Sequence, residues 1–193
     1  MVGRINERDQ LWQHLKEVQH MGSRLVTLSG VAGSGKTRLV EWLCERGEEF
    51  GCSQGIILEC RTAMSLKNVQ DIMRKKLGIE GLDSNQAFTH LNSEVHPSEA
   101  IFKRIGELIP LLHPDNETHL PFNAEQFGEI WLDFLEHISY RDPKRCRVVL
   151  LHIEHIDQNP DFLSFCEWIL NNERARRRPI LMLMPIRSET ISE

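Results

Sequence analysis

The chain has 193 residues, 40% apolar and 26% charged, which suits one globular domain with a buried core and excludes wholesale disorder. Its 23 Lys and Arg stand against 28 Asp and Glu, a net charge of −5. That balance argues against a surface given over to nucleic acid, though not against a local basic patch.

The elements follow in chain order. Leu11, Leu15 and Val18 fall at helical spacing, so residues 6–21 are predicted as an amphipathic helix with Asn6 as N-cap. Residues 24–29 are short, apolar and partly β-branched, a strand signal. A glycine-rich stretch follows at 30–35, then a helix over 36–49 with Leu39, Val40 and Leu43 inward. Residues 55–60 form a second strand. No strand is expected from 65 to 140, which reads as a helical insertion over about 61–140. Within it Ser65 caps a helix ended by Gly78, a short helix covers 84–91, Ser98 caps a helix over 99–109, 113–121 is loop, and Asn123 caps a helix carrying Trp131, Phe134 and Ile138. Residues 147–153 are apolar enough for a strand buried on both faces. A helix over 161–172 and a fourth strand over 179–184 complete the pattern, with no element expected after Met184. Strands separated by helices imply parallel pairing, hence an α/β three-layer sandwich.

No apolar run approaches the ~18–20 residues of a membrane-spanning helix, and the charged opening residues lack the apolar core of a secretion signal. Five scattered cysteines, none in a CxxC pair, fit a reduced cytoplasmic chain in which thiols pack as small core residues. His152 and His155 are the only close histidine pair, with no cysteine at ligand spacing, so no zinc site is expected.

The glycine-rich stretch Gly30-Val31-Ala32-Gly33-Ser34-Gly35-Lys36-Thr37 satisfies GxxxxGK[ST] between a strand and a helix. Backbone amides must wrap a β-phosphate closely, and side chains at the glycine positions would block the approach. The following helix aims its positive dipole end at the anion. Lys36 is placed to bridge β- and γ-phosphates, and Thr37 to offer a hydroxyl to Mg²⁺. Such a site also needs a carboxylate at a neighbouring strand tip. Here the tip reads His152-Ile-Glu-His-Ile-Asp157, so Glu154 is the candidate Mg²⁺ ligand. His155 follows where a second acid would polarise water; its imidazole accepts a proton but brings no fixed negative charge. Asp157 is the nearest substitute acid.

Val2-Gly3-Arg4 at the start, the phosphate loop followed by Arg38, Glu154 at the third strand tip and Arg187 after the fourth strand together resemble the nucleotide-binding core of AAA-type ATPases of the STAND class, the P-loop NTPases of signal transduction. The resemblance implies a sheet order of 5-1-4-3-2, ATP as ligand, an opening box (Val2, Gly3, Arg4) beside the adenine, and Arg187 as the sensor of the γ-phosphate. ATP is favoured over GTP, since no Asn-Lys-x-Asp guanine-reading motif occurs. His155 in place of the second acid implies slow hydrolysis. The family's fifth strand and helical lid have no counterpart here, so the chain reads as a single core domain over 1–193, truncated before them, with further domains or protein partners expected.

The resulting expectation is a cytoplasmic, nucleotide-dependent regulatory switch. Two alternatives stand beside it. One is a DNA-associated AAA+ regulator that places the cluster Arg174, Arg176, Arg177 and Arg178, with Lys144, Arg145 and Arg147, on phosphates. The plainer account of that cluster is a solvated helix end. The other alternative is a small-molecule kinase, for which no acceptor pocket is evident.

Overall fold

The structure is a computed structural model, and it describes residues 3–60, 66–94, 124–139, 146–156 and 160–188. Val2, Ser65, the helix expected over 99–109, the loop at 113–121, Asn123, Lys144, Arg145 and Asp157 lie outside them.

The described residues form four strands and six α-helices. In chain order these are α1 (Ile5–Met21), β1 (Arg24–Gly30), α2 (Lys36–Glu49), β2 (Ser53–Glu59), α3 (Leu66–Leu77), α4 (Ser84–Glu94), α5 (Ala124–Ser139), β3 (Val148–Glu154), α6 (Pro160–Asn171) and β4 (Ile180–Arg187), with a 3₁₀ turn at Ala175–Arg177 before β4. The strands make one sheet in the order β1-β4-β3-β2, and every pairing is parallel. The described parts of 61–140 hold three helices, α3, α4 and α5, with a turn at 78–83 between the first two, and no strand.

Alternation along the strands sorts the core onto two faces. Val148 and Leu150 of β3, with Leu181 and Leu183 of β4, pack against Leu11, Leu15 and Val18 of α1 and Leu39, Val40 and Leu43 of α2. On the other face Val149, Leu151 and Ile153, with Ile180, Met182 and Met184, meet the helices α3 to α6. Helices therefore cover both faces, and β3 is buried from Val148 through Ile153. An aromatic cluster closes the second face. Trp131 lies 5.4 Å from Phe134 and 6.0 Å from Phe165 between ring centroids, and Phe162 lies 5.2 Å from Phe165.

Two departures from the expected boundaries have a clear physical reason. Asn6 is not the cap of α1: the helix starts at Ile5 behind Arg4, whose φ is 56° and whose carbonyl accepts from the Arg8 amide. The Arg4 guanidinium donates to the carbonyl of Ser34, so a tertiary tie and not an Asn side chain sets the start. Helix α4 begins at Ser84, as expected, and runs on to Glu94; Asp83 caps it. Asp83 Oδ1 accepts from the Gln86 amide at 2.8 Å, and Gln86 Oε1 accepts from the Asp83 amide at 3.1 Å, a reciprocal box. Strand β4 does not end at Met184 but runs through Pro185 and Ile186 to Arg187. Proline lacks the amide a central strand needs. Beyond Leu183, however, β4 has left β3 and pairs with β1 alone, Pro185 lying opposite Leu28.

Candidate functional site

β1 ends at Gly30, in register with Arg187 at the end of β4. The chain then turns through Val31 to Gly35 and enters α2 at Lys36. Gly33 and Gly35 make the turn at φ of 73° and 81°, the left-handed region that glycine adopts without strain. Gly30 leaves little room for a side chain: a Cβ there would stand 3.0 Å from Ser34 Oγ, which would have to shift slightly, and 3.8 Å from Lys36 Cδ, an ordinary contact. The Ser34 amide closes the loop on the Val31 carbonyl at 3.2 Å, and the Leu39 amide reaches the Gly35 carbonyl at 3.0 Å as α2 begins.

Lys36 folds back over this loop. Its Nζ donates to the carbonyls of Gly30 at 2.7 Å and Val31 at 2.9 Å and lies 3.3 Å from Ser34 Oγ. The ammonium thus sits above the turn, held by the turn's own oxygens.

The loop shares a cavity of about 270 Å³ with the two strand tips beside it. Ala32, Gly33, Lys36 and Thr37 line one side; Glu154 and His155 from the end of β3, and Pro185 and Arg187 from β4, line the other. The sheet order creates this meeting, because β4 separates β1 from β3 and brings all three carboxyl-terminal ends to one edge. Of the residues singled out in the sequence, Lys36, Thr37, Glu154, His155 and Arg187 therefore stand around one space. Arg38 does not belong to it. Its guanidinium turns along α2 to Glu41 at 3.0 Å and Glu45 at 3.5 Å. Gly3 and Val31 are exposed and are not among the cavity's lining residues. Arg187 is the last residue of β4 itself, not a residue of a following loop.

His155 adopts a φ of 57°, uncommon outside glycine though more accessible to His, Asn and Asp than to most residues. The strand thus breaks sharply just after Glu154. Hydroxyl and carboxylate oxygens, as on Thr37 and Glu154, are the hard donors that Mg²⁺ takes. No cluster of three or more His, Cys, Asp or Glu able to hold a metal occurs among the described residues. A cation here would need additional oxygens from a ligand, which is how Mg²⁺ is held in phosphate sites.

Two residues near the site were given no role there by the sequence. Glu59, at the end of β2, is the register partner of Glu154 at the adjoining strand tip, but it is exposed and does not line the cavity. His152 is 1% exposed, and its Nε2 lies 3.3 Å from Glu154 Oε1. Burial pushes its imidazole below the usual histidine range, while the Glu154 charge pulls it back up. The alternation of β3 carried the signal, since residues two apart share a face.

The arginine cluster behaves differently from a solvated helix end. Arg174 Nε and one terminal nitrogen reach Glu136 at 2.9 and 2.8 Å, a second terminal nitrogen reaches Glu129 at 3.1 Å, and Asp133 accepts as well. Arg178 Nε joins Glu136 at 2.6 Å. Those two arginines clamp α5, while Arg176 and Arg177 are exposed. No helix among the described residues is long and apolar enough to cross a membrane. No family model matches the chain, and no curated protein matches it.

Proposed function

We propose that the chain is an ATP-binding P-loop ATPase core of the AAA type, STAND class, acting as a nucleotide-dependent switch with slow hydrolysis. The observation that carries the reading is the single cavity shared by Lys36, Thr37, Glu154 and Arg187. Its volume of about 270 Å³ suits a polyphosphate tail and a cation. The nucleoside would then extend past the loop toward Arg4, which already grips Ser34.

Each residue has a chemical task in this reading. The loop amides and the start of α2 bind phosphate oxygens. Lys36 exchanges its contacts with the Gly30 and Val31 carbonyls for the β- and γ-phosphates. Thr37 and Glu154 would hold Mg²⁺, which supplies charge neutralisation on the phosphates. Arg187, tied through β4 to the loop strand, senses the γ-phosphate, so its presence or loss biases attached domains. His155 supplies no fixed negative charge for orienting water, and hydrolysis is accordingly slow.

Titration calorimetry with Mg·ATP tests the reading. Wild-type protein should bind Mg·ATP in preference to Mg·GTP, and Lys36→Ala should weaken binding at least about tenfold, the loss of one charge-assisted contact set. Unchanged affinity in Lys36→Ala would refute the assignment.

A further inference from the structure

His152 is an anomaly in its surroundings. It faces the side of the sheet where Leu150 and Leu183 pack, and Leu183 is its register partner on β4. Neither Nδ1 nor Nε2 makes a hydrogen bond. A leucine would pack at this depth without stranding polar atoms, so the imidazole is poorly explained by stability. The nearest charged group among the described residues is Glu154, whose Oε1 is 3.3 Å from Nε2 and whose side chain keeps 18% of its surface exposed; Glu41 of α2 also acts on the imidazole, through its charge alone. Glu154 in turn lines the cavity beside Thr37 and Lys36.

We propose that His152 is a positioning residue for Glu154: when a divalent cation binds with phosphate, its Nε2–H, now 3.3 Å from Oε1, closes on that oxygen and orients the carboxylate for the cation. The inference rests on the nucleotide reading above and adds to it the residue that sets the cation ligand. Two features support it. Strand alternation fixes His152 and Glu154 on the same face, so the contact is built into the backbone. The sharp break at His155, with φ of 57°, leaves Glu154 as the last residue of its strand, where a rotamer needs a partner to stay defined. The 3.3 Å separation without hydrogen-bond alignment is of the kind that tightens when a ligand arrives. Partners of metal-ligating groups commonly set cation affinity in this way.

The test compares wild type, His152→Leu and His152→Gln, with ADP as probe, titrated once with Mg²⁺ and once with EDTA, alongside thermal unfolding. His152→Leu should melt higher than wild type, because it removes two stranded nitrogens. It should bind ADP in EDTA within about twofold of wild type and lose about tenfold or more of the Mg²⁺-dependent gain. His152→Gln retains an N–H donor and should recover that gain to within about threefold. A His152→Leu protein with the full Mg²⁺-dependent gain overturns the inference and leaves the nucleotide reading standing. A variant that melts lower and loses both forms of binding together shows a structural role and also overturns it. Wild-type protein that binds ADP in neither condition overturns the nucleotide reading, and this inference with it.

Discussion

Replacing Arg174 by alanine tests the clamp between the 3₁₀ turn and α5. Glu129, Asp133 and Glu136 are spaced four and three residues apart, so α5 presents them on one face. Arg174 engages all three, and Glu136, only 8% exposed, takes two of its nitrogens. Removing one partner of a buried pair costs ~3–5 kcal/mol. Arg174 keeps 27% of its side chain exposed, and Arg178 stays on Glu136, so the figure must be discounted to about 2 kcal/mol. For a domain of this size that is a drop of about 4–8 °C in Tm. Arg174→Lys keeps the charge but loses the fork, and should fall between the two. The assay is thermal unfolding in low and in 1 M salt, where screening should shrink the difference. A Tm within about 1 °C of wild type, or strict additivity with Glu136→Gln, would refute the clamp.

Gly128→Ala should destabilise by about 1–3 kcal/mol, because the new Cβ would stand 2.7 Å from the Trp168 ring where α5 meets α6; a melting curve identical to wild type would show that the indole simply steps aside. His137 is buried, and desolvation pushes its folded-state value below the ordinary 6.5. The unfolded chain then binds the extra proton first, so this contribution is complete above about pH 6.5 and is lost as pH falls below it. His137→Leu should therefore flatten the decline in urea midpoint between pH 7.5 and 5.5, and an equally steep decline counts against the assignment. Burial pushes the Cys44 and Cys166 thiols up to about 12 and Cys60 to about 11, whereas Cys146 is exposed. Iodoacetamide at pH 8 should label Cys146 well before those three in a peptide map, and early labelling of Cys166 would contradict the burial.

The parts of this molecule governed by local pattern could be seen in advance. The turn of Gly33 and Gly35, the helix behind Lys36, and the wholly apolar β3 follow from residue type and periodicity. What escaped depends on partners distant in sequence. The start of α1 is set by Arg4 reaching Ser34, a contact between segments that local propensity ignores. Pro185 looked like a stop because proline forfeits a strand amide, and only the departure of β4 from β3 makes it harmless. Arg174 looked like a helix-end cation because its acids sit on α5, more than thirty residues earlier. Glu154 was expected at a neighbouring strand tip, and it does line the cavity beside Lys36 and Thr37. His152 was weighed only with His155 as a zinc pair and set aside for want of a cysteine at ligand spacing, which left its place on the Glu154 face of β3 unread.

The pairing of β1 with β4 has a consequence for how the protein is made. The strand leading into the Gly30–Thr37 loop emerges early from the ribosome, whereas its only described neighbour in the sheet is the last described strand. At ~5–20 residues per second, translation leaves the earlier strand waiting on the order of ten to thirty seconds. Over that interval Leu25, Val26 and Leu28 have no sheet to join. A nascent chain halted before Pro185 would lack the part of the cavity wall that β4 supplies, so the cavity is complete only once that strand's end has been made.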